Sequence, residues 1–207
     1  MRHAVRDCCS HSLTYSKRSI FGWHSALYPR ETNAEGQERR IVAYGNQRIW
    51  KGVPDLLEAF RIVIAQRNDT ELILYGSSPI THRRTGAPYA FLRSLTDDAL
   101  AELYSSADVI ACPSWYESFP YPPLKGMACG APVVTTNIGT EDYAFNEETA
   151  LVVPPPDTKS MAAAILELRD NEELSERLRK AGPNKAKELT WNKTADAVDS
   201  IIRREMR

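Results

Sequence analysis

Ser114-Trp115-Tyr116-Glu117-Ser118-Phe119-Pro120-Tyr121-Pro122-Pro123-Leu124-Lys125-Gly126-Met127-Ala128-Cys129-Gly130-Ala131-Pro132-Val133-Val134-Thr135 is the stretch whose reading decides the fold. Just before it, Ala107-Asp108-Val109-Ile110-Ala111-Cys112 is a short apolar run closed by Pro113, the pattern of a strand buried on both faces. Pro122 and Pro123 suit the first turn of a helix, where backbone N–H groups have no internal partner. Leu124, Met127 and Ala128 then form an apolar stripe at helical spacing, and Gly130 suits the position just past a helix end. Val133-Val134 restarts a strand. The unit is strand–loop–helix–strand, and its loop holds Glu117 at the strand's C-terminal end, the edge where open α/β sheets bind ligands.

The rest of the chain repeats that alternation. Ile41-Val42-Ala43-Tyr44-Gly45 reads as the first strand, followed by a loop through Lys51 and a helix from about Pro54 to Ala65. On that helix Leu56, Leu57, Phe60, Val63 and Ile64 share one face. Glu71 to Tyr75 is a second strand, closed by Gly76-Ser77-Ser78-Pro79, and together these make a βαβ unit. Ile80 to Pro88 lacks periodicity and reads as a loop, with His82 a solvated residue within it; Tyr89 to Leu92 reads as a short strand. Thr96 is a good N-cap for a helix burying Leu100, Leu103, Tyr104 and Ala107. Beyond Thr135 come a short strand at Ala150 to Val153, a helix capped by Asp157, and charged helices at about Glu172 to Lys180 and Trp191 to Arg204. Core packing is the simplest role for Trp191. Strands alternating with helices predict a doubly wound α/β domain over residues 41–207, with residues 1–40 as an extension or linker of different texture.

Composition narrows the function classes. The 207 residues carry 26 Lys+Arg and 27 Asp+Glu, a net charge of −1 that argues against nucleic acid as a general partner. Four cysteines, Cys8, Cys9, Cys112 and Cys129, form neither a disulfide framework nor a metal clip, which points to a reduced, cytoplasmic compartment. No apolar run reaches the ~20 residues that span a bilayer, and the N-terminus lacks a signal peptide's apolar core. H-E-x-x-H, P-loop and G-x-S-x-G patterns are missing, as is an Asp-x-Asp metal motif.

The opening stretch resembles the donor-binding segment of the family-4 retaining glycosyltransferases, enzymes of the GT-B type built from two Rossmann-like domains. Their usual wording is close to P-S-x-x-E-G-F-G-L-P-x-L-E-A-M-A-C-G-x-P-V-V. Pro113-Ser114, Glu117, Phe119, Pro122, Leu124, Met127 to Gly130 and Pro132 to Val134 match it. Ser118 and Pro120 stand where glycines are usual, and Lys125 replaces the second glutamate of the E-x7-E pair. The resemblance implies a Rossmann-like parallel sheet, one half of a GT-B fold, with C-terminal helices. It implies hexosyl transfer with retention from a nucleotide-diphosphate-sugar, with no metal and no cofactor. The acceptor would come from a missing N-terminal domain or a separate subunit, and the full enzyme could associate peripherally with a membrane. Phe21 to Arg30 weakly resembles the link between the two domains; a disordered leader is the other reading.

By the same resemblance Glu117 is the catalytic carboxylate, holding donor-sugar hydroxyls and stabilising charge at the anomeric carbon. The donor diphosphate falls to Lys51 and Arg48 after Gly45, with Asn46 where the family has an arginine. Gly76, Ser77 and Leu92 fall near the base. Ser118, Phe119, Pro120, Leu124 and Lys125 complete the donor-binding set. On spacing alone Lys51 reads more readily as a solvated surface charge; the plain reading of Glu117 is an exposed loop glutamate, which its neighbours Trp115, Tyr116 and Phe119 make less freely solvated than most. Lys125 has donors only and cannot accept from a ribose as a glutamate does. It contacts phosphate, or it marks a donor site in decline. A non-catalytic nucleotide-sugar or partner-binding module is the alternative to an enzyme.

Overall fold

A computed structural model describes residues 38–80 and 86–206; the expectations for residues 1–37 and for His82 lie outside them. Six strands form one parallel sheet: β1 (Arg39–Tyr44), β2 (Thr70–Gly76), β3 (Ala90–Arg93), β4 (Val109–Cys112), β5 (Val133–Thr136) and β6 (Leu151–Val153). Their spatial order is β3-β2-β1-β4-β5-β6. Chain order thus runs one way from β1 to β3 and the other way from β4 to β6, which leaves a switch point between β1 and β4.

Alternating residues of each strand feed two cores, as the period of 2 demands. From β1, Ile41 and Ala43 enter one core and Val42 the other; from β2, Leu72 and Leu74 oppose Ile73 and Tyr75 in the same way. The first core is closed by α1 (Val53–Gln66) and α4 (Thr158–Asp170), through residues such as Leu56, Phe60, Met161 and Ile165. The second is closed by α2 (Asp97–Ser105) and α3 (Tyr121–Ala128), through Tyr104, Leu124 and Met127. The sheet is therefore covered on both faces, the Rossmann-like architecture the alternation predicts. Thr96 and Asp157 cap α2 and α4 as the sequence indicates, accepting from Ala99 N and from the backbones of Lys159 and Ser160.

Two boundaries and one burial assignment differ from the sequence reading. β1 begins at Arg39, because its two polar residues find partners across the sheet. Asp108 accepts from the Arg39 guanidinium at 3.0 Å and from Arg40 N at 2.7 Å, while Arg40 Nε donates to Glu71 at 2.7 Å. The helix starting at Glu172 runs on past Lys180 as α5 (Glu172–Ala186), with Pro183 inside it. Gly182 there meets Met127 so closely that a Cβ would lie 3.2 Å from the Met127 Cβ, and this docking onto α3 outweighs the breaker signal of Gly-Pro. Finally, α6 (Trp191–Glu205) buries none of its residues. Trp191 is 52 % exposed, so the core role read for it from sequence is corrected: its ring leans on that of Tyr121, 6.5 Å between centroids.

Candidate donor site

The loops after β1 and after β4 meet at the switch point. The first carries a 3-10 turn at Ile49–Lys51 and ends in Gly52, whose φ of +65° opens α1. A Cβ on Gly52 would lie 1.9 Å from the Pro113 carbonyl oxygen, so the two loops touch backbone to backbone. Trp115 N donates to Trp50 O at 2.7 Å, and Trp115 Nε1 donates to Asp55 Oδ2 at 2.6 Å. Burial raises the Asp55 pKa, and the Trp115 hydrogen bond opposes it. From the far side, Thr136 Oγ1 donates to Ser114 O at 2.6 Å and Tyr143 OH donates to Pro120 O at 2.6 Å. The segment bearing Glu117 is thus held at both ends by neighbours distant in sequence.

Within that frame Lys51 Nζ donates to Glu117 Oε1 at 2.5 Å, and Ser114 Oγ donates to the same oxygen at 2.9 Å. Both charged side chains are largely sheltered, 22 % exposed for Lys51 and 14 % for Glu117. They line a cavity of roughly 310 Å³ together with Phe119, Pro120, Pro122 and Lys125. Tyr44, Tyr75, Leu100 and Tyr121 complete its wall. Beneath it Tyr75 shares a hydrogen bond with the fully buried Tyr104, and burial pushes both phenols well above their ordinary range. Lys125 sits in the second turn of α3, and burial lowers its pKa, with Asp97 and Cys129 acting the other way.

Five of the residues the sequence assigns to the site line this cavity: Lys51, Glu117, Phe119, Pro120 and Lys125. The others lie elsewhere. The Arg48 guanidinium stacks over the Trp50 ring, 5.4 Å to its centroid, on the exposed loop. Leu124 is 1 % exposed and belongs to the second core, and Leu92 packs against the same core. Gly45 and Gly76 are a packing pair: a Cβ on Gly76 would lie 2.4 Å from Gly45 O. Ser77 is exposed, its carbonyl accepting from Arg93 Nε at 3.0 Å, and Ser118 is exposed beside Gly139. Sequence reasoning missed the tyrosines. A usable signal exists, since Tyr44 and Tyr75 are register partners that each end an apolar strand just before a glycine. No group of three or more His, Cys, Asp or Glu side chains is placed to hold a metal among the described residues, and none of their helices is long and apolar enough to cross a membrane.

The chain resembles proteins of known class in both sequence and fold. It is 35 % identical over 108 residues to the D-inositol 3-phosphate glycosyltransferase of Saccharomonospora viridis, covering 52 % of this chain and 25 % of that protein. Sucrose-phosphate synthase from Thermosynechococcus elongatus superposes with a TM-score of 0.69 at 26 % identity, covering 88 % of this chain and 48 % of that one. Anabaena Alr3699/HepE, solved in complex with UDP-glucose, gives the same TM-score of 0.69 at 17 % identity, covering 79 % of this chain and 49 % of that one. The chain therefore spans no more than half the length of these relatives. The model of the family described as glycosyl transferases group 1 matches residues 26–185, most of the chain and all of the sheet, and by that match the chain belongs to the group 1 glycosyl transferases.

Proposed function

We propose that this domain is the donor-binding half of a retaining glycosyltransferase, moving a hexosyl group from a nucleotide-diphosphate-sugar to an acceptor. One observation carries the reading: a cation and a carboxylate, Lys51 and Glu117, face one cavity at the switch point of a parallel sheet. A diphosphate entering the cavity would compete with Glu117 for the Lys51 ammonium. Glu117, kept in place by Ser114, would then turn to the sugar hydroxyls and to the positive charge growing at the anomeric carbon. The bond from that carbon to the diphosphate breaks, one to the acceptor oxygen forms, and the acceptor's proton passes to the leaving diphosphate. Lys51 neutralises that leaving group, so the reading asks for no metal and no cofactor. HepE, a neighbour in fold, is solved with UDP-glucose, which favours a nucleotide-sugar ligand here.

The acceptor is assigned to a second domain or subunit, and the complete enzyme to the cytoplasm or the cytoplasmic face of a membrane. The free, buried thiols of Cys112 and Cys129 favour that compartment. A binding module without turnover is the second reading, favoured by Lys125 and by Pro120, whose ring removes an N–H donor from the cavity wall. Calorimetric titration with UDP and GDP tests donor binding. At least one should bind, and Lys51→Ala should weaken it about tenfold, the worth of one charge-assisted contact. Absence of binding by both overturns the reading. Release of nucleoside diphosphate from a nucleotide-sugar separates enzyme from module. The domain alone should transfer little sugar, because this reading assigns the positioning of the acceptor to a second domain or subunit.

A further inference from the structure

Two phenols meet beneath the cavity, one from the end of β2 and one from α2. Tyr75 lines the cavity and is 8 % exposed, whereas Tyr104 belongs to the second core and is 0 % exposed. Their hydroxyls share one hydrogen bond, and their rings meet edge to face, 5.7 Å between centroids. Among the described residues neither hydroxyl has another hydrogen-bond partner. The nearby Tyr44 ring lies 5.5 Å from that of Tyr75, and the Tyr44 hydroxyl accepts from Asn46 Nδ2 at 3.2 Å. Burial holds Tyr75 and Tyr104 above the ordinary phenol range, so each keeps its proton at neutral pH.

The pair thus holds two O–H protons and one hydrogen bond, which leaves one proton over. The two possible directions differ in cost. If Tyr75 donated to Tyr104, the spare proton would sit on Tyr104, sealed in the core with nothing to receive it. A buried donor without a partner bears its full desolvation penalty. If Tyr104 donates to Tyr75, the spare proton sits on the side chain that borders the cavity, where a ligand oxygen can take it. Donation from Tyr104 also polarises the Tyr75 hydroxyl into a stronger donor. We propose that Tyr75 is a ligand-binding residue of this cavity, a neutral hydrogen-bond donor that Tyr104 orients toward an acceptor oxygen of the nucleoside diphosphate. This deepens the donor-site reading and rests on it. It adds an uncharged contact, from the end of β2, to the charged pair at Lys51 and Glu117.

A double-mutant cycle with melting curves and calorimetric titration of UDP and GDP tests this. Tyr75→Phe strands the Tyr104 hydroxyl, so it should lower the melting temperature by roughly 5 °C. It should also weaken binding of the preferred diphosphate about tenfold. Replacing both tyrosines by phenylalanine leaves an apolar pair of the same shape, which should recover most of the lost stability while binding stays about tenfold weaker. Tyr104→Phe leaves the Tyr75 proton in place and should weaken binding no more than about threefold. In the wild-type chain carrying ¹³Cζ-labelled tyrosine, the Tyr75 resonance should shift as the nucleotide is added. Wild-type affinity in the double variant would make the pair a packing device only and overturns the proposal. Tighter binding by Tyr104→Phe overturns it too, because Tyr75 would then be donating to Tyr104, and so does an unmoved Tyr75 resonance. In these three cases the wild-type chain still binds a diphosphate and the donor-site reading stands. Failure of both nucleotides to bind the wild-type chain overturns both.

Discussion

Glu117 meets two demands that oppose each other. It accepts a hydrogen bond from Lys51 Nζ at 2.5 Å, and in the proposed reaction it must release that lysine to the diphosphate. Glu117→Gln should therefore tighten diphosphate binding while abolishing sugar transfer in the complete enzyme. A sheltered ion pair is worth on the order of 1 kcal/mol, so the gain should be roughly three- to tenfold. Weaker binding by the variant in a calorimetric titration would mean that Glu117 organises Lys51 rather than competing for it. Lys125 allows a pH argument. Its pKa in the folded chain is lowered by burial, so between that value and the ordinary lysine range the unfolded chain binds more protons than the folded one. Stability from this group then rises with pH through that window, and at neutral pH the buried charge is a cost. Lys125→Met should raise the melting temperature modestly at pH 7, and the gap should shrink as the pH is raised toward 10. A gap that stays constant across that range would assign the effect to packing instead.

At the scale of elements, the site depends on how closely α1 and the loop after β4 approach. Gly52→Ala forces a positive φ on alanine and drives its Cβ into the Pro113 carbonyl, 1.9 Å away. Backbone on both sides cannot yield as a flexible side chain would. The loss should exceed about 3 kcal/mol in urea unfolding, more than strain at a special φ alone accounts for. A loss under 1 kcal/mol would show that the two loops can separate freely. The same contact explains what sequence could and could not reveal. Spacing placed Lys51 and Glu117 at the ends of β1 and β4, because each follows a buried strand that stops at Gly45 or Pro113. Their ion pair, and the Trp115–Asp55 hydrogen bond beside it, join residues 66 and 60 positions apart, and no local pattern records such pairs. Arg48 stands apart from the cavity lining for a local reason, since its neighbour Trp50 offers a ring face that the guanidinium covers.

The alternation of strands and helices made the whole sheet legible, since each βαβ unit buries its own faces and leaves the connection only one hand. It could not reveal which helices stay attached by packing. α5 continues through Gly182-Pro183 because tertiary contact with α3 overrides the breaker, whereas α6 has a regular helical pattern and no burial. Periodicity reports a face that wants cover, not whether the cover is present. In α6 that face includes Val198, Ile201 and Ile202, each about half exposed, with Met206 just beyond the helix end. The domain's cores close without it: Leu189, just before the Thr190 cap, is the last residue packed against either one. Ending the chain after Thr190 should therefore leave the melting temperature within about 3 °C of the full chain, a shift equivalent to no more than roughly 1 kcal/mol for a domain of this size. It should also improve solubility, because a stripe of exposed aliphatic residues is removed. The opposing term is the ring contact of Trp191 with Tyr121, a residue of the cavity wall, worth about 0.5–1.5 kcal/mol at most. Calorimetric melting of both chains decides the matter: a fall of about 8 °C or more would mean that α6 folds back onto the domain in solution and contributes to its core.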